Sequence, residues 1–242
     1  MIQIIGLEKS FDGQKVLQGV NMTIADREVV AIIGESGGGK TVLLRHMIGL
    51  MKPDKGSIMV DGADMLKMSK GELDKVRDRF GIVFQGSALF DSMTIFENVV
   101  FPLREKTDYA ESDILDKGRR ALEDVGLKGV DEKYPSEISG GMKRRVALAR
   151  ALILEPTTIF FDEPTTGLDP IILNSIHRLI INTHKKYGFT GIIISHEIPE
   201  IFAVADKVAM LYGGRIVASG TPDEIKSEND PVVKQFVGAS CD

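Results

Sequence analysis

Gly34-Glu35-Ser36-Gly37-Gly38-Gly39-Lys40-Thr41 is the stretch that decides the fold. It fits the pattern G-x-x-x-x-G-K-[S/T] of a phosphate-binding loop, the Walker A motif. Residues 29–33 before it form an apolar, β-branched run that reads as a buried strand, and residues 42–50 after it, from Val42 on, read as a helix. Strand, glycine loop and helix is the context the motif requires. Glycines let backbone N–H groups curl around phosphate oxygens without Cβ clashes. The helix N-terminus points a partial positive charge at the same anion. Lys40 is placed to reach the β- and γ-phosphates, and Thr41 to put its hydroxyl on Mg²⁺. A glycine-rich turn before a core helix is the plain alternative, and both flanks argue against it.

The chain has 242 residues, 43% hydrophobic and 27% charged, enough to fill a sizeable core. No apolar run reaches the roughly 20 residues needed to span a bilayer. The first residues lack a basic segment followed by a long apolar stretch, so no signal peptide is expected. A net charge of −5 argues against a nucleic-acid surface. The single cysteine, Cys241, cannot form an internal disulfide, which fits a reducing compartment, and it reads as a frayed tail residue.

Outward from the loop, residues 2–33 read as β structure, with strands at 16–24 and 28–33 and turns at Asp12-Gly13 and Ala25-Asp26. Phe11, in the first turn region, is either a platform for an adenine ring or a core anchor. A strand is expected at 57–60, a charged helix at 69–79 and a strand at 81–85 ending on Gln85. Residues 86–155 hold no convincing buried strand and carry helical patterns at 94–103, 111–125 and 143–154. They look like a helical insertion between two halves of an α/β sheet. The α/β pattern resumes with a strand at 158–162, a helix at 170–186 and a strand at 190–195 followed by His196. A hairpin (207–212 and 215–219), a capped short helix after Thr221 and a tail from about 229 complete a single domain without internal repeats.

A phosphate loop needs an acid at the end of a neighbouring buried strand to complete a Mg²⁺ shell. Asp162 is that acid, and its strand is expected beside the phosphate-loop strand. Glu163 follows, placed to polarise a water against the γ-phosphate; a carboxylate pair capping a helix is the plainer reading. The pair Lys40 and Asp162 gives nucleoside triphosphate binding but does not choose among ATPases. Ser139-Gly140-Gly141 leads into a helix and reads locally as an N-cap and turn, or as a second anion site.

With these landmarks quoted, the chain resembles the nucleotide-binding domain of an ATP-binding cassette (ABC) transporter over essentially its whole length. Phe11 matches the aromatic A-loop, residues 34–41 Walker A, and Gln85 the Q-loop glutamine. Ser139-Gly140-Gly141 matches the family signature LSGGQ, Asp162-Glu163 matches Walker B and the catalytic glutamate, Gly167-Leu168-Asp169 the D-loop, and His196 the switch histidine. The resemblance implies an α/β fold: a P-loop NTPase (RecA-like) core with an antiparallel β subdomain and the helical subdomain at about 86–155. It implies ATP and Mg²⁺ as ligands. The nucleotide set it implies is Phe11, Gly34, Glu35, Ser36, Gly37, Gly38, Gly39, Lys40, Thr41, Val42, Ser139, Gly140, Gly141 and Asp169. The catalytic set is Glu163, His196, Gln85 and Lys40, and the metal set is Thr41, Gln85 and Asp162. Ile138 replaces the usual Leu of the signature and Met142 the usual Gln, whose amide a thioether cannot imitate. Gly38 makes Walker A a triple-glycine loop.

Residues 86–105, Ser195-His196-Glu197-Ile198-Pro199-Glu200 and the tail around 230–236 are also similar to the Mla-type ATPases. Those proteins energise phospholipid transport between the inner and outer membranes of Gram-negative bacteria. By that resemblance the chain is expected at the cytoplasmic face of the inner membrane, peripheral through integral permease subunits. The resemblance also implies a homodimer that sandwiches ATP, an MCE-type lipid-binding subunit and a small STAS-type regulator, with no nucleic-acid partner. Phe90, Met93, Ile95, Phe96, Val99, Phe101 and Leu103 make 86–105 apolar enough to include a groove for a permease helix. The rival readings are transport of another solute, a soluble cassette ATPase acting on DNA or ribosomes, and a P-loop kinase or GTPase. The last does not explain Ser139-Gly140-Gly141 or Gly167-Leu168-Asp169.

Overall fold

Strands and helices that bury apolar residues make up most of the chain, and the computed structural model describes residues 1–238. Cys241 and the end of the tail lie outside the described residues. In order the elements are β1 (Ile2–Phe11), β2 (Gln14–Ile24), β3 (Val29–Ile33), α1 (Lys40–Met47), β4 (Lys55–Val60), β5 (Ala63–Asp64), α2 (Lys70–Arg77) and β6 (Phe80–Val83). Then come α3 (Ile95–Lys106), α4 (Glu111–Asp124), α5 (Gly140–Leu152), β7 (Thr158–Asp162), α6 (Pro170–Tyr187) and β8 (Thr190–Ile194). β9 (Lys207–Tyr212), β10 (Arg215–Gly220), α7 (Pro222–Ser227) and α8 (Pro231–Gly238) follow.

β3 explains the layering. Alternate side chains of a strand point to opposite faces. Val29, Ala31 and Ile33 join one core, with residues of α3 to α6 and Val233 and Val237 of α8. Val30 and Ile32 join a second core, with residues of β1, β2, β4 and α1. β7 divides the same way, Ile159 and Phe161 to the first core and Phe160 to the second. A sheet covered on both faces needs apolar residues at every position, as parallel sheets generally do. The six strands of that sheet run in the order β10-β9-β3-β8-β7-β6, and the antiparallel sheet in the order β2-β1-β4-β5.

Strand order departs from the expectation at one point. The strand of Asp162 does not lie beside the phosphate-loop strand: β8 is inserted between them and pairs in parallel with both β3 and β7. The chain reaches the far strands first, β6 then β7, and only afterwards returns to fill the gap. Helix α1 packs across β8 and β7, which still brings its first turn to Asp162.

Caps set several boundaries. Ser69, Thr94 and Thr221 each form a capping box with the glutamate three residues on, so α2, α3 and α7 start one residue later than their cap. α5 starts at Gly140, earlier than the expected 143, because Ser139 Oγ accepts the Met142 N–H at 3.3 Å and draws the glycines into the first turn. α5 packs on α3 and α4 and also on β6, joining the helical segment to the sheet. Asn98, fully buried, accepts the Phe90 N–H and donates to the carbonyls of Phe90, Met93 and Thr94, fixing the entry to α3.

His177 in α6 is buried, and among the described residues its Nε2 has no hydrogen-bond partner. Burial holds its imidazole below the usual 6.5, with Glu200 opposing. Between the folded value and 6.5 the unfolded chain binds a proton that the folded chain refuses, so this contribution to stability is complete above pH 6.5 and is lost as pH falls. His177→Leu is expected to remove that loss. In urea unfolding between pH 7.5 and 5.5, the wild type should weaken relative to the variant by up to about 1.4 kcal/mol per pH unit.

Candidate active site

The phosphate loop begins where β3 ends. Gly34 has φ +147°, and a Cβ there would sit 2.1 Å from the Leu211 carbonyl oxygen of β9. Gly37 and Gly39 hold φ of +75° and +96°, so the loop turns through conformations that favour glycine. The Gly38 N–H donates to Glu35 O at 3.0 Å. The buried Lys40 side chain folds back over this turn, and its Nζ donates to Gly34 O at 2.9 Å and Glu35 O at 2.8 Å. Burial pushes the Lys40 pKa down, while Glu163, Asp162 and Glu35 favour the charged form. Gly39 supplies no side-chain cap to α1 and the first turn of α1 carries no acid, leaving the positive end of the helix dipole to an anion.

Opposite the loop stand two carboxylates. Thr41 Oγ1 donates to Asp162 Oδ1 at 3.3 Å. Burial pushes the Asp162 pKa up, the Thr41 hydrogen bond pulls it back, and Glu163 adds to the rise. Glu163 leaves the strand with φ +49°, and its N–H donates to Ile194 O at 3.0 Å. Its side chain is held from three directions. Gln85 Nε2 and Thr166 Oγ1 donate to Oε2 at 3.2 and 3.1 Å, and His196 Nδ1 lies 3.2 Å from Oε1. Gln85, Glu163 and His196 thus follow the C-terminal ends of the neighbouring parallel strands β6, β7 and β8, the edge of an open α/β sheet where ligands bind. A hydroxyl and a desolvated carboxylate are hard oxygen donors and fit a divalent cation of the Mg²⁺ type.

Ser139, Gly140 and Gly141 form a second group. They open α5 against the segment that leads into α6: a Cβ on Gly140 would lie 3.8 Å from Leu168, and one on Gly141 2.7 Å from Ile172. Asp169 caps α6, its Oδ1 accepting the Ile171 and Ile172 N–H groups at 3.0 Å each. Among the described residues no hydrogen bond joins this group to the Lys40–Glu163 cluster. Met142 packs against the main core, so apolar contact replaces the amide chemistry of the usual glutamine. Phe11 ends β1 with its ring exposed and the Lys9 ammonium 5.4 Å from the ring centroid, so it is no core anchor.

Three contributors were not read from the sequence. Thr166 lies in the turn that follows Glu163, where local sequence gives it no distinguishing mark. Val16 of β2 walls the loop, its Cγ1 only 3.0 Å from where a Gly39 Cβ would be. Arg144, three residues after the Ser139-Gly140-Gly141 turn, donates to Pro164 O and Ser87 Oγ. Arg144 alone had a signal, since it lies within the first turns of the helix that Ser139 caps.

The ABC transporter family profile matches residues 17–166. The chain is 42% identical over 236 residues to the probable ribonucleotide transport ATP-binding protein mkl of Mycobacterium tuberculosis, covering 98% of this chain and 66% of that protein. It is 40% identical over 227 residues to the intermembrane phospholipid transport system ATP-binding protein MlaF of Escherichia coli, covering 94% of this chain and 84% of that one. Among solved structures, a dimeric post-hydrolysis state of the ATP-binding cassette MJ0796, bound to ADP and Pi, superposes with a TM-score of 0.83 at 29% identity, covering 92% of this chain and 99% of that one. The chain thus spans about two thirds of the mycobacterial relative's length and most of the others'. From the loop geometry, the strand-end carboxylates and these similarities together, the chain belongs to the ABC transporter family as one of its ATP-binding cassettes.

Proposed function

We propose that this chain hydrolyses ATP as one half of a head-to-tail pair of identical copies and so drives phospholipid transport through membrane subunits. The observation that carries the reading is the Glu163 carboxylate, held by Gln85, Thr166 and His196 beside the phosphate loop. The glycine loop and Lys40 receive the phosphates, and Phe11 offers an exposed aromatic face to the base. Glu163 orients a water and accepts its proton as the oxygen attacks the γ-phosphorus; the bond from that phosphorus to the β–γ bridging oxygen breaks, ADP leaves, and His196 steadies the γ-phosphoryl oxygens. Thr41 and Asp162, with Gln85 beside them, would hold Mg²⁺, whose charge offsets that of the phosphates. Among the described residues no cluster of three or more His, Cys, Asp or Glu side chains could hold a metal alone, in keeping with an ion that also takes oxygens from nucleotide and water.

Ser139-Gly140-Gly141 stands apart from this cluster in its own chain, which supports its serving the nucleotide of a second copy. The dimeric state reported for MJ0796 agrees. No helix among the described residues is long and apolar enough to cross a membrane, and the proposed assembly includes membrane-spanning subunits. We place their docking in a groove of about 380 Å³ where Phe90, Phe101 and Pro102, from the segment after Gln85, meet Phe84. Its side would be the cytoplasmic face of the inner membrane. An MCE-type lipid-binding subunit and a small STAS-type regulator complete the proposed assembly. The mycobacterial relative is named for ribonucleotide transport. Phospholipid is preferred because the chain covers 84% of MlaF against 66% of mkl, and residues 86–105 share the Mla-type pattern.

Glu163→Gln is expected to cut ATP turnover by about 100-fold or more while ATP still binds and the closed dimer accumulates, as read by phosphate release and size-exclusion chromatography. Normal turnover in that variant would remove Glu163 from its role. A complex purified from native membranes should contain membrane-spanning subunits and bound phospholipid. A soluble solute receptor in their company, with no lipid, would overturn the lipid reading.

A further inference from the structure

We propose that Arg144 is a positioning residue that links the Ser139-Gly140-Gly141 turn to Glu163 and Gln85 of the same chain, so that a nucleotide held at that turn sets the geometry of this chain's own water-activating carboxylate. The inference rests on the roles proposed above for Glu163 and for Ser139-Gly140-Gly141.

Arg144 lies in the second turn of α5. Its Nε donates to Pro164 O at 3.0 Å and its Nη1 to Ser87 Oγ at 2.7 Å. Pro164 directly follows Glu163, and Ser87 lies two residues beyond Gln85. Gln85 and Glu163 themselves meet at 3.2 Å. One guanidinium therefore closes a ring of contacts: from α5 to the backbone behind Glu163, across to Gln85, and back through Ser87. Among the described residues Arg144 has no carboxylate partner. A partly buried cation that spends its donors on one carbonyl and one hydroxyl is held by those two loops alone.

The loop it grips is strained. Ser87 and Ala88 have φ of +63° and +46°, and Glu163 has +49°, three non-glycine residues in left-handed backbone. Such conformations persist only where the surroundings enforce them. Two turns further along α5, Arg150 donates to Ser87 O at 2.8 Å and to Ala88 O at 2.7 Å. α5 thus grips the loop after Gln85 at two points and the loop after Glu163 at one. A displacement of α5 on occupation of its N-terminus is transmitted to both loops through the planar guanidinium groups of Arg144 and Arg150. Lysine, a point donor on a flexible stem, cannot span both partners in the same way.

The test uses the full chain with Arg144→Gln, Arg144→Lys, Ser87→Ala and the Ser87→Ala/Arg144→Gln double variant, each assayed for ATPase kinetics, ATP binding and melting temperature. Arg144→Gln is expected to lower kcat by about 10- to 100-fold, with ATP affinity changed by less than about threefold. Ser87→Ala should lower kcat less and add little in the Arg144→Gln background, since both act through one contact. Arg144→Lys should recover part of the loss. If Arg144→Gln keeps kcat within about twofold of wild type, or if kcat falls only in step with ATP affinity or melting temperature, Arg144 has no positioning role. A wild-type chain without ATPase activity, or one unaffected by Glu163→Gln, would instead fail the proposed function itself, and the two failures are distinguishable.

Discussion

Parallel pairing of β3, β8, β7 and β6 under cover on both faces is the constraint from which the rest follows. Such strands must be apolar along their length, so polar chemistry is displaced to where they end. Gly34, Asp162 with Glu163, and Gln85 come after the last apolar residues of three of these strands, and Ser195 with His196 after the fourth. Parallel strands bring those four ends to one edge. The site is thus a by-product of the sheet's register, and Glu163 is fixed in that register by its N–H bond to Ile194 O.

Two desolvated groups of opposite charge, Lys40 and Asp162, dominate the electrostatics at that edge. Lys40 is desolvated, with its ammonium on the loop carbonyls. Asp162 is desolvated, with one hydroxyl on its carboxylate. Burial disfavours the charged form of each, moving their pKa values in opposite directions. A polyanion with a divalent cation would add an opposite charge to each, as the Mg²⁺-nucleotide proposed above would.

Helix α5 connects this edge to the second group. Its N-terminus carries Ser139, its apolar face fills the main core through Val146, Ala147 and Ala149, and its arginines reach the loops after β6 and β7. Gly141 permits the close approach to Ile172 that seats the helix against α6. The capping reading of Ser139 and its reading as an anion site are therefore compatible. The hydroxyl accepts one backbone N–H, and the helix terminus still faces outward.

The sequence by itself determined the phosphate loop, the apolar strands, the carboxylate that ends β7 and most helix starts, because these rest on local chemistry. Glycine is needed at positive φ, β-branched runs suit two-faced burial, and a Ser or Thr with a glutamate three residues on caps a helix. Only the tertiary structure decided which strands are neighbours. The insertion of β8 between β3 and β7 depends on the return path of the chain, and no local residue pattern records it. The same holds for the grip of Thr166 and Gln85 on Glu163, the exposure of Phe11 and the reach of Arg144 to Pro164 and Ser87. Each joins residues distant in sequence or turns on side-chain direction, and packing of the whole fold fixes those.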